Sequence, residues 1–130
     1  MIITVEMLKS KGACNEWLSW FKARYGESCE YNTMLALLAK EEKVSWAQWA
    51  LQNIGKTNEI IEIDEIKENC FFFSGSIVVK KSISVKFYLL AGCGIKAGWG
   101  IKAGWRIEAG EGIEAGCGIV TGKQIGRAHV

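Results

Sequence analysis

One histidine, His129, is all the imidazole in these 130 residues, and it stands next to the last position. No Ser–His–Asp or Cys–His catalytic set can be assembled around it, so an enzyme of those classes is not expected. No apolar run approaches the ~18 residues that a membrane-spanning helix needs. The opening residues Met1-Ile2-Ile3-Thr4-Val5-Glu6 lack a basic region followed by a long apolar stretch, so no signal peptide is expected. None of the five cysteines (Cys14, Cys29, Cys70, Cys93, Cys117) stands in a CxxC pair, which leaves neither a zinc knuckle nor a dithiol redox centre. Free thiols of a cytoplasmic protein are the reading that follows, with Cys14 and Cys29 as small buried hydrophobes. Acidic residues are scarce after residue 70: three Glu stand against eight Lys/Arg, a net of +5, whereas residues 1–70 carry a net of −3. That surplus is weak for a nucleic-acid surface.

The first fifty-five residues carry helical spacing. Trp17, Leu18, Trp20, Phe21 and Tyr25 form one apolar stripe that ends at Gly26, a C-cap glycine. A second helix is predicted over Tyr31–Lys40, with Ser28 or Asn32 as N-cap, and a third from an N-cap at Ser45 to Gly55. A shorter helix is predicted around Val5–Lys9. Short connections make these antiparallel neighbours in a small bundle, with the four tryptophans as core rather than as a ligand box. Glu59 to Ile66 alternates imperfectly and reads as a strand.

From residue 71 the chain divides into ten blocks of six: FFFSGS, IVVKKS, ISVKFY, LLAGCG, IKAGWG, IKAGWR, IEAGEG, IEAGCG, IVTGKQ, IGRAHV. The first and third positions are aliphatic or Ala and share one side of a short strand; the second, often Lys or Glu, faces water. The recurrent glycines permit tight corners. A fixed short period is the signature of a solenoid. Three sides need eighteen residues per coil, about three coils in all, and stack Lys96 on Glu114. Two sides would instead pair Lys96 with Glu108 and Lys102 with Glu114. Alternating Ile and Ala suit a triangular core, so three sides are expected. The fold class is therefore α+β. A helical domain (1–57) supplies a cap, a linking strand (58–70) follows, and a β-solenoid (71–123) comes next. The segment 124–130, Gln-Ile-Gly-Arg-Ala-His-Val, resembles the in-frame translation of a short-read sequencing adapter and is expected to be non-native, leaving the last coil open.

Candidate chemistry is thin. The hexapeptide period resembles that of left-handed β-helix acyltransferases, but here Ala follows the aliphatic residue by two positions and no catalytic histidine is available. Gly55-Lys56-Thr57 matches the end of a P-loop, yet its first glycine is replaced by Ala50 and the preceding segment reads as helix. Gly98-Trp99-Gly100 is part of the repeat, not a phosphate loop. Glu59, Glu62, Asp64, Glu65 and Glu68 match no calcium loop and read as a solvated strand edge. No cofactor and no metal follow from any of these. Trp99 and Trp105 lie at corners, where aromatic residues on a repeat scaffold are recognition candidates. Arg106, Lys96 and Lys102 accompany them as candidate partner-binding residues.

Gly12-Ala13-Cys14, Trp20-Phe21, Tyr25-Gly26, Leu35-Ala36-Leu37-Leu38 and Ser45-Trp46-Ala47-Gln48-Trp49-Ala50-Leu51, with the Ala-Gly-x-Gly-Ile run from Ala91 to Ile119, carry a resemblance. Together they resemble a family of bacteriophage and prophage proteins that join a small helical domain to hexapeptide repeats. The resemblance brings no catalytic residues. It implies a non-enzymatic protein of the bacterial cytoplasm that binds a host protein, for example an inhibitor of a host defence complex of the anti-CRISPR kind. Two other expectations stand beside it. One is a self-assembling solenoid that forms homo-oligomers through its helical domain or its end. The other, ranked last, is nucleic-acid binding or mimicry. No membrane association is expected.

Overall fold

The computed structural model describes residues 1–122 and the backbone of 124–126. Arg127–Val130, which include His129, lie outside the described residues, and so does most of the segment expected to be non-native.

Four helices form the N-terminal part: α1 (Val5–Ser10), α2 (Asn15–Tyr25), α3 (Tyr31–Lys40) and α4 (Val44–Asn53). Thr4 caps α1, its Oγ1 accepting from the Met7 N–H at 3.1 Å. Gly26 ends α2 at φ 72°, a conformation that favours glycine, as the sequence predicts. The other caps differ from expectation. Glu30 caps α3, its carboxylate accepting from the Thr33 N–H at 3.0 Å, because Ser28–Glu30 are taken up in a strand. That strand, β2 (Ser28–Glu30), pairs antiparallel with β1 (Ile2–Thr4). Lys43 stands at the N-cap of α4, which places Ser45 inside the first turn.

Trp17 and Trp20 are buried, and Trp46 stacks on Trp17 at 5.9 Å while Trp49 meets it edge-on at 4.8 Å. Trp17 and Trp20 are core, as their spacing predicts, while Trp46 and Trp49 are half-buried against them. Tyr31 is fully buried; its hydroxyl donates to the Gly55 carbonyl at 2.8 Å, with the Ala50 carbonyl also in reach at 3.1 Å. Burial pushes its phenol well above the ordinary value. The folded state thus holds this proton more tightly than the unfolded chain does. Stability should therefore fall as pH rises past about 10, where the unfolded tyrosine ionises. Tyr31→Phe should cost about 1–2 kcal/mol at neutral pH, and should lessen that alkaline decline, both read by urea denaturation at pH 8 and pH 10.5.

From Ile60 onward the chain coils. The strands are β3 (Ile60–Ile63), β4 (Ile66–Phe73), β5 (Ser76–Val79), β6 (Ile83–Ala91), β7 (Gly94–Ala97), β8 (Gly100–Ala103), β9 (Arg106–Ala109), β10 (Gly112–Ala115), β11 (Gly118–Thr121) and β12 (Gln124–Gly126). All their pairings are parallel. Gly112 pairs with Gly94, Gly118 with Gly100 and Gln124 with Arg106, one coil being three six-residue blocks. This is a three-sided parallel β-solenoid of about three turns, and Glu114 lies beside Lys96 as the three-sided reading requires. The first side is β3-β5-β7-β10. The long strands β4 and β6 turn from the second side to the third without interruption, joined there by β8 and β11 on one side and β9 and β12 on the other.

Inward residues stack in register: Ile77 on Ile95 on Ile113, Ile83 on Ile101 on Ile119, and Phe71 on Leu89 on Ile107. Behind them Val79, Ala97 and Ala115 form a second rank whose side chains shrink along the axis. The glycines at block position four have a different basis from conformational freedom. At Gly92, Gly98, Gly104, Gly110, Gly116 and Gly122 a Cβ would overlap a backbone carbonyl oxygen of the coil below, those of Ser74, Lys80, Lys86, Gly92, Gly98 and Gly104 respectively. At Gly94 and Gly100, block position six, the nearest backbone oxygen lies at 3.6 Å, an ordinary contact. Close stacking of the coils, not the bend, requires glycine at position four.

One expectation is corrected here. Residues 58–70 are not a linker: β3 pairs with β5 and β4 with β6, so they make the first coil. Ile60 pairs with Ser76 while Ser76's block partner higher up is eighteen residues away, so the first coil is two residues short and falls out of the six-residue phase. A bulge between Glu68 and Cys70 shifts the register again. The helical part lies along the third side, and its α3 also packs against β4 of the first coil beside Ile61. Cys70, Phe72 and Leu90 point outward from the solenoid and are buried in the same cluster as Trp17, Tyr31 and Leu35. Polar ties reinforce this joint, among them Asn32 Oδ1 accepting from the Ser74 N–H at 2.8 Å, Gln48 Nε2 donating to Glu108 at 2.8 Å, and Lys56 Nζ meeting Glu111 at 2.8 Å.

Candidate binding surface

The five residues singled out from the sequence do not converge on one patch. Lys96 is exposed on the first side, between Val78 and Glu114. Trp99 forms the exposed corner between first and second sides, with the Lys81 ammonium 5.8 Å from its ring. Lys102 is exposed on the second side, where it borders a depression shared with Lys67 and Lys86. Trp105 occupies the corner between second and third sides. Arg106 lies on the third side, half-buried, its Nη2 3.1 Å from Glu108 Oε1. Glu108 holds Gln48 of α4 with its other oxygen, so Arg106 is part of the joint between the two halves.

Trp105 lines a concavity at this corner. It packs edge-on against Phe87 at 5.4 Å and Tyr88 at 5.7 Å. Opposite stand Glu42, Lys43, Val44, Ser45 and Trp46, from the turn into α4. Together they enclose a cleft of about 510 Å³ with Cys70 also in its lining. Both walls are held by the fold. On the solenoid wall, Phe87 and Tyr88 belong to β6 and Trp105 N–H donates to the Phe87 carbonyl at 3.0 Å. On the helical wall, Lys43 Nζ lies 4.5 Å from the Trp46 ring and Glu42 sits at φ 57°, a conformation uncommon outside glycine.

The turn that carries Glu42 is anchored by its neighbour. Glu41 accepts from Trp20 Nε1 at 3.0 Å and from Arg24 Nε at 2.9 Å. The Trp20 N–H bond, with Arg24 beside it, holds the Glu41 carboxyl below the usual carboxylate range. Aromatic faces with a cation and an anion at the rim suit an apolar or aromatic side chain presented by another protein. Sequence reading singled out Trp105 as a corner residue but not Trp46, Phe87 or Tyr88. Trp46 carries only a helical-stripe signal, and Phe87-Tyr88 sit in a block without the Ala-Gly pattern.

Reactive groups are few. Burial raises the Cys29, Cys70 and Cys93 thiols above their ordinary range, which disfavours nucleophilic thiolates. Cys14, expected as a buried residue, is exposed at the N-cap of α2, and Cys29 is half-buried. Among the described residues no group of three or more His, Cys, Asp or Glu is placed to share a metal ion. The Gly55-Lys56-Thr57 segment is structural: Lys56 pairs with Glu111, and Thr57 Oγ1 lies 2.7 Å from Ser74 Oγ. No helix among the described residues is long and apolar enough to cross a membrane.

Residues 1–57 match the family model of the YdhT N-terminal domain, which spans the four helices and stops just before the first coil. No curated protein and no solved structure matches the chain.

Proposed function

We propose that this is a non-enzymatic binding protein whose target is a single protein, held through the aromatic cleft at Trp105 and the neighbouring Trp99 corner. The observation that carries this reading is the cleft itself. Trp46, Phe87, Tyr88 and Trp105 are presented by a helix and by stacked coils, so little side-chain freedom is left to lose on binding. The lysines at 67, 86 and 102 on the adjoining side would steer an acidic partner toward it. In the bacteriophage setting that the sequence resemblance implies, the partner is a host cytoplasmic protein, with a component of a defence complex such as a CRISPR effector as the leading class.

The test is affinity capture from bacterial lysate with the tagged protein and with its Trp99→Ala/Trp105→Ala variant, read by mass spectrometry. Capture is followed by calorimetry with the purified partner. One stoichiometric protein, bound at least about tenfold more weakly by the variant, is the expected result. Recovery of the bait alone, or equal recovery with both baits while circular dichroism shows the variant folded, would overturn the reading.

A further inference from the structure

The first coil presents an unpaired strand edge. β3 ends its sheet: β5 pairs with one of its edges, and no strand among the described residues pairs with the other. The Glu59 and Ile63 carbonyls turn toward β5, accepting from the Ser76 N–H at 2.9 Å and the Lys80 N–H at 3.1 Å. Alternate residues of a parallel strand turn their backbone groups to opposite neighbours, so Ile60 and Glu62 direct theirs at the open edge.

The surroundings of that edge are selective. Ile60 is 63% exposed. Beside it opens a cavity of about 490 Å³, lined by Ile61, Phe71 and Phe73 from the coil and by Ala36 and Ala39 from α3. Between residues 59 and 68 the rim carries Glu59, Glu62, Asp64, Glu65 and Glu68 against Lys67, with Lys40 of α3 in the cavity lining and Lys80 3.9 Å from Asp64, so acidic groups still predominate. An apolar mouth and a row of unpaired backbone groups invite another strand. The acidic rim repels a second copy placed edge to edge and attracts a cationic segment.

We infer that the β3 edge is a docking site for an extended basic segment of a partner protein, which adds to the sheet as a further strand. Its apolar side chains enter the mouth lined by Ile61, Phe71 and Phe73, and its Lys or Arg residues lie over Glu62 and Glu65. This surface shares only Cys70 with the lining of the aromatic cleft, so either can fail without the other.

The probe is a fluorescein-labelled peptide of about eight residues, a usual strand length, alternating isoleucine and lysine, compared with an isoleucine–glutamate counterpart. Fluorescence anisotropy reads binding and amide hydrogen exchange reads where it occurs. The lysine peptide should bind and slow exchange at Ile60 and Glu62 by about tenfold or more, and the glutamate peptide should do neither. Glu62→Pro removes an outward N–H at a position where an edge strand tolerates proline, and should abolish binding. Glu62→Lys/Glu65→Lys keeps the backbone and should exchange the preference between the two peptides. Trp99→Ala/Trp105→Ala should leave this binding unchanged. Absence of binding, binding without protection at Ile60 and Glu62, or self-association of the protein through those same amides would each overturn the inference.

Discussion

Gly110→Ala is expected to destabilise the protein by about 3 kcal/mol or more, and Gly100→Ala to leave it unchanged or about 0.5 kcal/mol more stable. The two glycines sit two blocks apart in the same repeat, and neither has a positive φ. What separates them is the coil underneath. A Cβ on Gly110 would overlap the Gly92 carbonyl oxygen, a backbone atom that cannot swing aside. The Gly110 N–H also donates to the Ala91 carbonyl at 3.2 Å, so moving the corner away breaks the inter-coil ladder. At Gly100 the nearest neighbour, the Gly118 carbonyl oxygen, stands at 3.6 Å, and an added methyl mainly restricts the unfolded chain. Urea denaturation of both variants checks the pair. Equal losses would mean that coil stacking is not what selects glycine at position four.

Leu90→Ala should cost about 2–5 kcal/mol and should lower the midpoints of both halves together. Leu90 is fully buried although it points out of the solenoid, because α3 and α4 cover it with Phe72 and Cys70 beside it. The residue on either side, Leu89 or Ala91, faces inward to the other core. A single strand therefore serves two cores with alternate side chains. Unfolding followed by tryptophan fluorescence, dominated by the helical part, should coincide with far-ultraviolet dichroism of the strands. Two separated transitions in the wild-type protein would show that the joint does not couple them.

Much of this architecture is legible in the residues because its period is short and its chemistry repeats. Ile at position one and Ala at position three define a strand of one inward face, and eighteen residues return Glu114 to Lys96. The first coil was hidden because Ile60–Gly75 contains two residues fewer than a repeat, so Ile61 and Ile66 fall out of phase with Ile77 and Ile83. β1 and β2 are too short for alternation to appear. The side-on seat of the helices depends on outward apolar residues, and Phe72 and Leu90 do signal it: they are apolar in the row where a later block carries Glu108, whereas Cys70 stacks under Tyr88 and Arg106.

The candidate site was legible only in part. Corner tryptophans are visible as repeat positions, but which corner faces the helices is a matter of winding. Trp105 faces the start of α4 across the cleft, packed on Phe87 and Tyr88 from the coil before it. Trp99, one block earlier, meets Lys81 instead. Arg106 looks like an exposed hot-spot residue in sequence; its ion pair with Glu108 makes it part of the seam.

The seat of the helices along one face also sets a rule for changes in chain length. Adding or deleting eighteen residues between Leu90 and Glu108 returns the same face to α4 and leaves Gln48 opposite an equivalent position. Adding or deleting six turns the remaining coils by one side, so that a different row of side chains meets the helices. Length variants of this protein should thus survive in whole coils, and a single-block change should be tolerated only beyond Glu111, which among the described residues holds Lys56 of the helical part.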